Sequence, residues 1–226
     1  MLFRSFDDIA VSSSRASPSE SGAAGNTAGE TYVLFGGTLL IAGKTLIGTT
    51  GADTITGTSS AETLVGGQSD DILTGNGGND AFAGGAGNDT FNLGVSGQSA
   101  IPFIRVDGGS GFDTLALAGS AVNLNLSTLG DKIQGIERID LTGSGNNTVV
   151  LNLRDVLNIS DTGNRLLITG NVGDTVSSTG QGWMLSGQVT DHGIVYNSYT
   201  LGGVAYSRGI PNLLVDSEHS LTVNIS

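Results

Sequence analysis

Five acidic residues, Asp53, Glu62, Asp71, Asp80 and Asp89, follow one another at intervals of nine, each behind a run rich in glycine and small polar residues. Carboxylate oxygens repeated at fixed spacing are hard ligands, and they suit a divalent cation better than any nucleophilic chemistry. Written in nines from Gly48 to Asn92 the chain reads GTTGADTIT, GTSSAETLV, GGQSDDILT, GNGGNDAFA and GGAGNDTFN without a gap. The sixth place is always acidic. The eighth is always apolar, as Ile55, Leu64, Leu73, Phe82 and Phe91. With strand geometry around each eighth residue, that side chain points inward and its two neighbours point outward. The glycine-rich remainder of each unit then reverses the chain.

The composition agrees with such an arrangement. Glycine contributes 37 of 226 residues, cysteine none, and Asp plus Glu outnumber Lys plus Arg 21 to 9 for a formal charge of -12. Abundant glycine suits tight turns and close chain approach and disfavours long helices. The acid excess repels nucleic acid and anionic lipid and attracts cations. Lack of cysteine removes disulfides, thiolate zinc sites and thiol nucleophiles. Asp7 and Asp8 stand where a Sec-type signal peptide would be apolar, so export, if it occurs, is expected to use another signal. No stretch approaches the roughly 18 apolar residues of a membrane span.

A sixth copy, GGSGFDTLA, begins at Gly108 after a 15-residue interruption from Leu93 to Asp107. The interruption is expected to break the register, leaving Asp113 with no partner that the spacing guarantees. The nonapeptides resemble the RTX, or repeats-in-toxin, family, whose consensus is G-G-x-G-x-D-x-U-x. That resemblance implies a parallel β-roll with two nonapeptides per coil and calcium held between turns of adjacent coils by sixth-position carboxylates and turn carbonyls. The expected metal set is Asp53, Glu62, Asp71, Asp80, Asp89 and Asp113 with Gly51, Gly66, Gly75 and Gly84. Residues 18 apart would share an ion, pairing Asp53 with Asp71, Asp71 with Asp89 and Glu62 with Asp80, in roughly three sites. Asp71 with Asp89 is the best of these. Asp80 would next face Gln98. Ser60 and Ser69 depart from the fourth-position glycine, and Glu62 is one methylene longer than aspartate. Five apolar side chains are few for so long a run, so the roll is expected to be disordered without calcium and to fold at millimolar levels.

The fold class expected is all-β: a parallel β-roll followed by a compact β domain. Three segments follow: 1–43, a partial β segment; 44–117, the roll, with its insertion at 93–107; and 118–226, a C-terminal β domain. The first carries strand-like runs at Asp8–Val11 and Thr31–Phe35, and its Phe6-Asp-Asp-Ile-Ala-Val11 and Gly29–Gly36 stretches resemble the end of an FG-GAP, integrin-type blade. In the last, Val122–Leu126, Val149–Leu153 and Leu221–Ile225 alternate apolar and polar residues, with a helical turn expected near Leu153–Leu157. Stretches such as Gly135–Thr142 and Leu151–Leu157 make this tail similar to the C-terminal regions of large RTX adhesins, which carry an uncleaved signal for type I secretion. The resemblances imply a secreted or cell-surface bacterial protein whose partners are calcium, the secretion machinery and an extracellular ligand. The alternative is the non-catalytic tail of a secreted RTX hydrolase. No catalysis is expected here: H-E-x-x-H and G-x-S-x-G are absent, and Asp191-His192 reads as a polar turn before a strand. Trp183 reads as core packing.

Overall fold

A computed structural model describes residues 9–12, 31–34, 44–94, 103–160, 163–201, 211–219 and 222–225. Two compact units divide at Ala42/Gly43. In the first, strands Ile9–Ser12 and Thr31–Leu34 pair antiparallel, with Ile9 opposite Leu34. Half of the residues that carry the FG-GAP likeness, 6–8, 29–30 and 35–36, lie outside those described.

The second unit is a solenoid. Five parallel strands, Lys44–Ile47, Glu62–Gln68, Asp80–Ala86, Phe103–Ser110 and Ile133–Gln134, stack as one sheet. Facing them, Thr54–Thr56, Ile72–Thr74, Thr90–Leu93, Thr114–Leu117, Arg138–Asp140, Arg165–Thr169 and Asn212–Asp216 run parallel in a nine-stranded sheet. An antiparallel hairpin, Trp183–Asp191 and Ile194–Leu201, completes it. Early coils advance by 18 residues: Leu46 lies against Leu64, Leu64 against Phe82, Ile55 against Leu73 and Leu73 against Phe91. The period-two pattern places these side chains inward, where Leu64, Leu73 and Phe91 are fully buried.

The sequence interruption changes the step instead of breaking the stack. Phe91 aligns with Leu115, so the coil lengthens from 18 residues to 24 and the sixth copy stays in register. The added length opens a third face. Asn123–Asn125, Thr148–Val150, Thr175–Ser178 and Thr222–Ile225 form a third parallel sheet. Helix Leu153–Ile159, closed at its start by a capping box between Asn152 and Asp155, continues the first face after Ile133–Gln134. Strand pairing therefore crosses the boundary expected at 117/118 without a break, and residues 43–226 are one compact unit. One apolar core, from Leu64 to Val215, runs through all the coils.

Candidate metal-binding turns

The sixth-position residues lie at the corners where one sheet passes to the other. Glu62, Asp71, Asp80, Asp89 and Asp113 are between 0 and 3% exposed, whereas Asp53, on the first coil, is half-buried. Asp71, Asp80, Asp89 and Asp113 each accept a hydrogen bond from the backbone N–H of the counterpart one coil earlier. Asp53 N–H donates to Asp71 Oδ1 at 2.8 Å, Asp71 N–H to Asp89 Oδ1 at 2.8 Å, and Glu62 N–H to Asp80 Oδ1 at 2.9 Å. All three expected pairs are brought together, including the longer Glu62. Asp113, to which the spacing guaranteed no partner, belongs to the same ladder: Asp89 N–H donates to its Oδ1 at 2.7 Å, and its own N–H donates to Glu137 Oε2 at 2.9 Å. Both steps span 24 residues. Gln98 is outside the described residues, and the residue aligned with Asp80 in the next coil is Phe103.

The second carboxylate oxygens decide what the turns can hold. On the outermost coils they are used locally, Thr49 N–H donating to Asp53 Oδ2 at 2.6 Å and Thr58 N–H to Glu62 Oε2 at 2.9 Å. Asp71 Oδ2 and Asp89 Oδ2 are buried and accept no hydrogen bond. A buried anionic oxygen without a donor costs free energy that a cation would recover. Where Gly66 lacks a Cβ, Asp71 Oδ2 and the Gly84 carbonyl oxygen, the latter 2.7 Å from the missing atom, converge; beside Gly84, Asp89 Oδ2 and the Gly108 carbonyl do the same, the carbonyl at 2.5 Å. A Cβ at Gly75 would meet Asp80 Oδ2 at 2.5 Å and the Phe82 ring at 2.9 Å, with no carbonyl among its three nearest atoms. Gly51 differs: a Cβ there would meet only Thr49 Oγ1, at 3.8 Å. Among the described residues no three His, Asp or Glu side chains gather on one point, so turn carbonyls must complete any coordination shell. Hard oxygens from carboxylate and carbonyl are the donor set calcium takes.

Close stacking explains the turn glycines. A Cβ at Gly85 or Gly87 would strike the backbone of Gly67 or Ser69 in the coil beneath. Ser69 adopts φ 69° at the fourth position despite its side chain, whose hydroxyl donates to the Thr50 carbonyl at 3.1 Å. Burial pushes the Asp80 and Asp89 carboxyls up to about 6; backbone N–H donors from Glu62 and Asp71 oppose the shift, and the charges of those same neighbours add to it.

The model of the family described as RTX calcium-binding nonapeptide repeat (4 copies) matches residues 45–60 and 56–91. This stretch consists of RTX calcium-binding repeats. Comparison with curated proteins and with solved structures gives no match. The matched RTX stretch carries Asp53, Glu62, Asp71, Asp80 and Asp89, and the ladder extends past it to Asp113 and Glu137. No helix among the described residues is long and apolar enough to cross a membrane.

Sequence reasoning missed a second ladder on the third face. Val122 N–H donates to Asn147 Oδ1 at 3.0 Å, Asn147 N–H to Asp174 Oδ1 at 2.7 Å, and Asn171 N–H to Asp174 Oδ2 at 2.8 Å. The signal was present in Gly143-Ser-Gly-Asn-Asn147-Thr-Val149, which has the RTX spacing with an amide at the sixth place. Burial raises the Asp174 carboxyl above its ordinary range, and the charge of Asp140 adds to the shift. His192 sits in the hairpin turn at φ 47°, its ring 4.5 Å from that of Phe112. Trp183 is buried, its indole N–H donating to Ser178 Oγ at 2.9 Å.

Proposed function

We propose that this chain is a calcium-dependent structural module of a secreted or cell-surface bacterial protein, adhesin-like in character. The observation that carries the reading is the pair of buried, donorless oxygens, Asp71 Oδ2 and Asp89 Oδ2, facing glycine-lined turns among backbone carbonyls. Asp71, Asp89 and the Gly84 carbonyl would hold an ion between adjacent turns, as would Glu62 with Asp80 on the opposite edge. Bound calcium supplies the positive charge that lets these carboxylates stack. The residues do the rest: Oδ1 of each carboxylate fixes the N–H of the preceding coil, glycine admits close contact, and Leu64, Leu73, Phe82 and Phe91 close the core.

Extracellular calcium reaches millimolar levels, the range at which such modules saturate. Folding would thus be deferred until the chain leaves the calcium-poor cell, with type I secretion as the route. The chain itself performs no catalysis in this reading. Far-UV circular dichroism across a calcium titration tests it. The β signal should rise to saturation at or below millimolar calcium, and Asp71→Ala, which removes a ligand common to two turn pairs, should weaken binding by tenfold or more (about 1.4 kcal/mol per tenfold). An unchanged spectrum across the titration, or unchanged affinity in that variant, would sink it.

A further inference from the structure

A second set of side chains ties the same turns together in the reverse direction. Asp70 and Asn88 occupy the fifth positions beside Asp71 and Asp89, and both side chains are exposed. Asn88 N–H donates to Asp70 Oδ1 at 2.6 Å, and Phe112 N–H donates to Asn88 Oδ1 at 2.8 Å. Sixth-position side chains reach back one coil; these reach forward one coil. Turn 66–71 and turn 84–89 are thus joined twice, once through Asp89 to the Asp71 N–H and once through Asp70 to the Asn88 N–H. The same double tie joins turn 84–89 to turn 108–113 through Asp113 and Asn88.

We infer that Asp70 and Asn88 are positioning residues, a metal-independent clasp that holds three successive turns at the separation a calcium ion needs and carries the register across the 24-residue step. Two parallel hydrogen bonds of opposite sense fix both the spacing and the rotation of adjacent turns, which a single bond leaves free. The fifth position on the other edge is Ala61, whose methyl offers Asn79 no acceptor, so the Glu62–Asp80 edge lacks the forward arm. The clasped edge gains two further hydrogen bonds as calcium orders its turns, and its sites fill first. Asp70 acts in this scheme as an acceptor and not as an anion.

The inference rests on the calcium reading above, and one experiment separates the two. The full chain and its Asp70→Ala and Asp70→Asn variants are titrated with calcium by calorimetry, and backbone amide exchange is followed at Asn88. Asp70→Ala removes the acceptor; the calcium concentration that half-fills the tightest site should rise about threefold to tenfold, as for loss of one hydrogen bond. Asp70→Asn keeps an oxygen in the same place, and because this side chain is exposed, losing its charge costs less than at the buried Asp89; the variant should stay within about twofold of the parent, rescuing the function without the charge. Exchange at Asn88 should quicken in the alanine variant alone. Equal weakening in both variants would show that Asp70 acts through its charge and overturn the clasp, as would no weakening in either. Failure of the parent chain to bind calcium would sink the calcium reading, while the Asn88 exchange rates would still report on the clasp.

Discussion

Replacing Asp89 with asparagine separates what its carboxylate does for the fold from what it does for the metal. Oδ1 accepts the Asp71 N–H, a bond that weakens by about 1 kcal/mol when a charged acceptor becomes neutral. Against this, Oδ2 is a buried oxygen with no donor, and burial has pushed the carboxyl up to about 6. An amide nitrogen there would turn an unmatched acceptor into a donor beside the Gly108 carbonyl, recovering about 1–3 kcal/mol. The metal-free chain should therefore be unharmed or stabilised by about 1 kcal/mol. Calcium should behave oppositely. A site held at a hundred times its dissociation constant adds about 2.7 kcal/mol, and Asp89 serves the pairs with Asp71 and Asp113, so up to about 5 kcal/mol of the calcium-dependent increment is at stake. Thermal melts in chelator and in millimolar calcium, read by far-UV circular dichroism, give both quantities. The reasoning fails if the variant melts lower than the parent in chelator, or if calcium raises its midpoint as far as the parent's.

Acidity should act on the metal-free roll in the direction opposite to ordinary acid denaturation. Asp80 and Asp89 have folded-state values near 6, above the ordinary 3.8, so folding takes up protons: the stability they lend is full below about pH 4 and is lost as pH rises through about 6. Calcium affinity runs the other way, weakening as pH falls below about 6, and chelator melts alongside titrations at pH 5 and 7.5 would show both trends. Asn147→Ala removes the acceptor of the Val122 N–H and a donor to the Leu141 carbonyl, both buried, and should cost about 2–5 kcal/mol equally in calcium and in chelator; a loss confined to one condition would contradict a metal-free role for that ladder. Hydrogen exchange in chelator should be fast for amides of 44–93 and slow for those of 133–178, with calcium protecting the first group; uniform exchange would refute this division.

The roll could be read from sequence because one physical pattern repeats unchanged for five units. An acid at the sixth place, an apolar residue at the eighth and glycines between them marked the ladder residues, the two-nonapeptide coil that the RTX resemblance implies paired Asp53 with Asp71 and Glu62 with Asp80, and the structure places those pairs together. A helical turn near Leu153–Leu157 was also expected, and it lies within the helix Leu153–Ile159. Beyond Asn92 the period drifts. Asp89 to Asp113 and Asp113 to Glu137 span 24 residues, Asn147 to Asp174 spans 27, and the hairpin Trp183–Leu201 interrupts a later coil. Chemistry drifts as well, since Glu137 and Asn147 take the place of aspartate at the ladder position. A fixed-period search loses such coils although their backbone geometry continues, and so the third sheet read as a separate domain.

The same drift explains why metal dependence should be confined to one end. An 18-residue coil offers the core little: the coil of Leu64 and Leu73 buries two large apolar side chains, and the next adds Phe82, Phe91 and Leu93. The coil running from Ile133 to Leu151 buries Ile133, Ile136, Ile139, Leu141, Val149 and Leu151. Apolar burial per residue ordered is therefore much greater once the third face opens, and each such side chain contributes about 1.5–3 kcal/mol. Small coils need another source of cohesion, and their corners carry anions that repel until a cation lies between them. Wide coils close on hydrophobic burial, and their third-face corner can be tied by the neutral amide of Asn147, which both accepts from Val122 and donates to Leu141 without a counter-ion. Carboxylates persist at the corners of the wide coils as Glu137 and Asp174, where the thicker core holds the turn; in the 18-residue coils the same charged ladder stands on too thin a core and needs the cation.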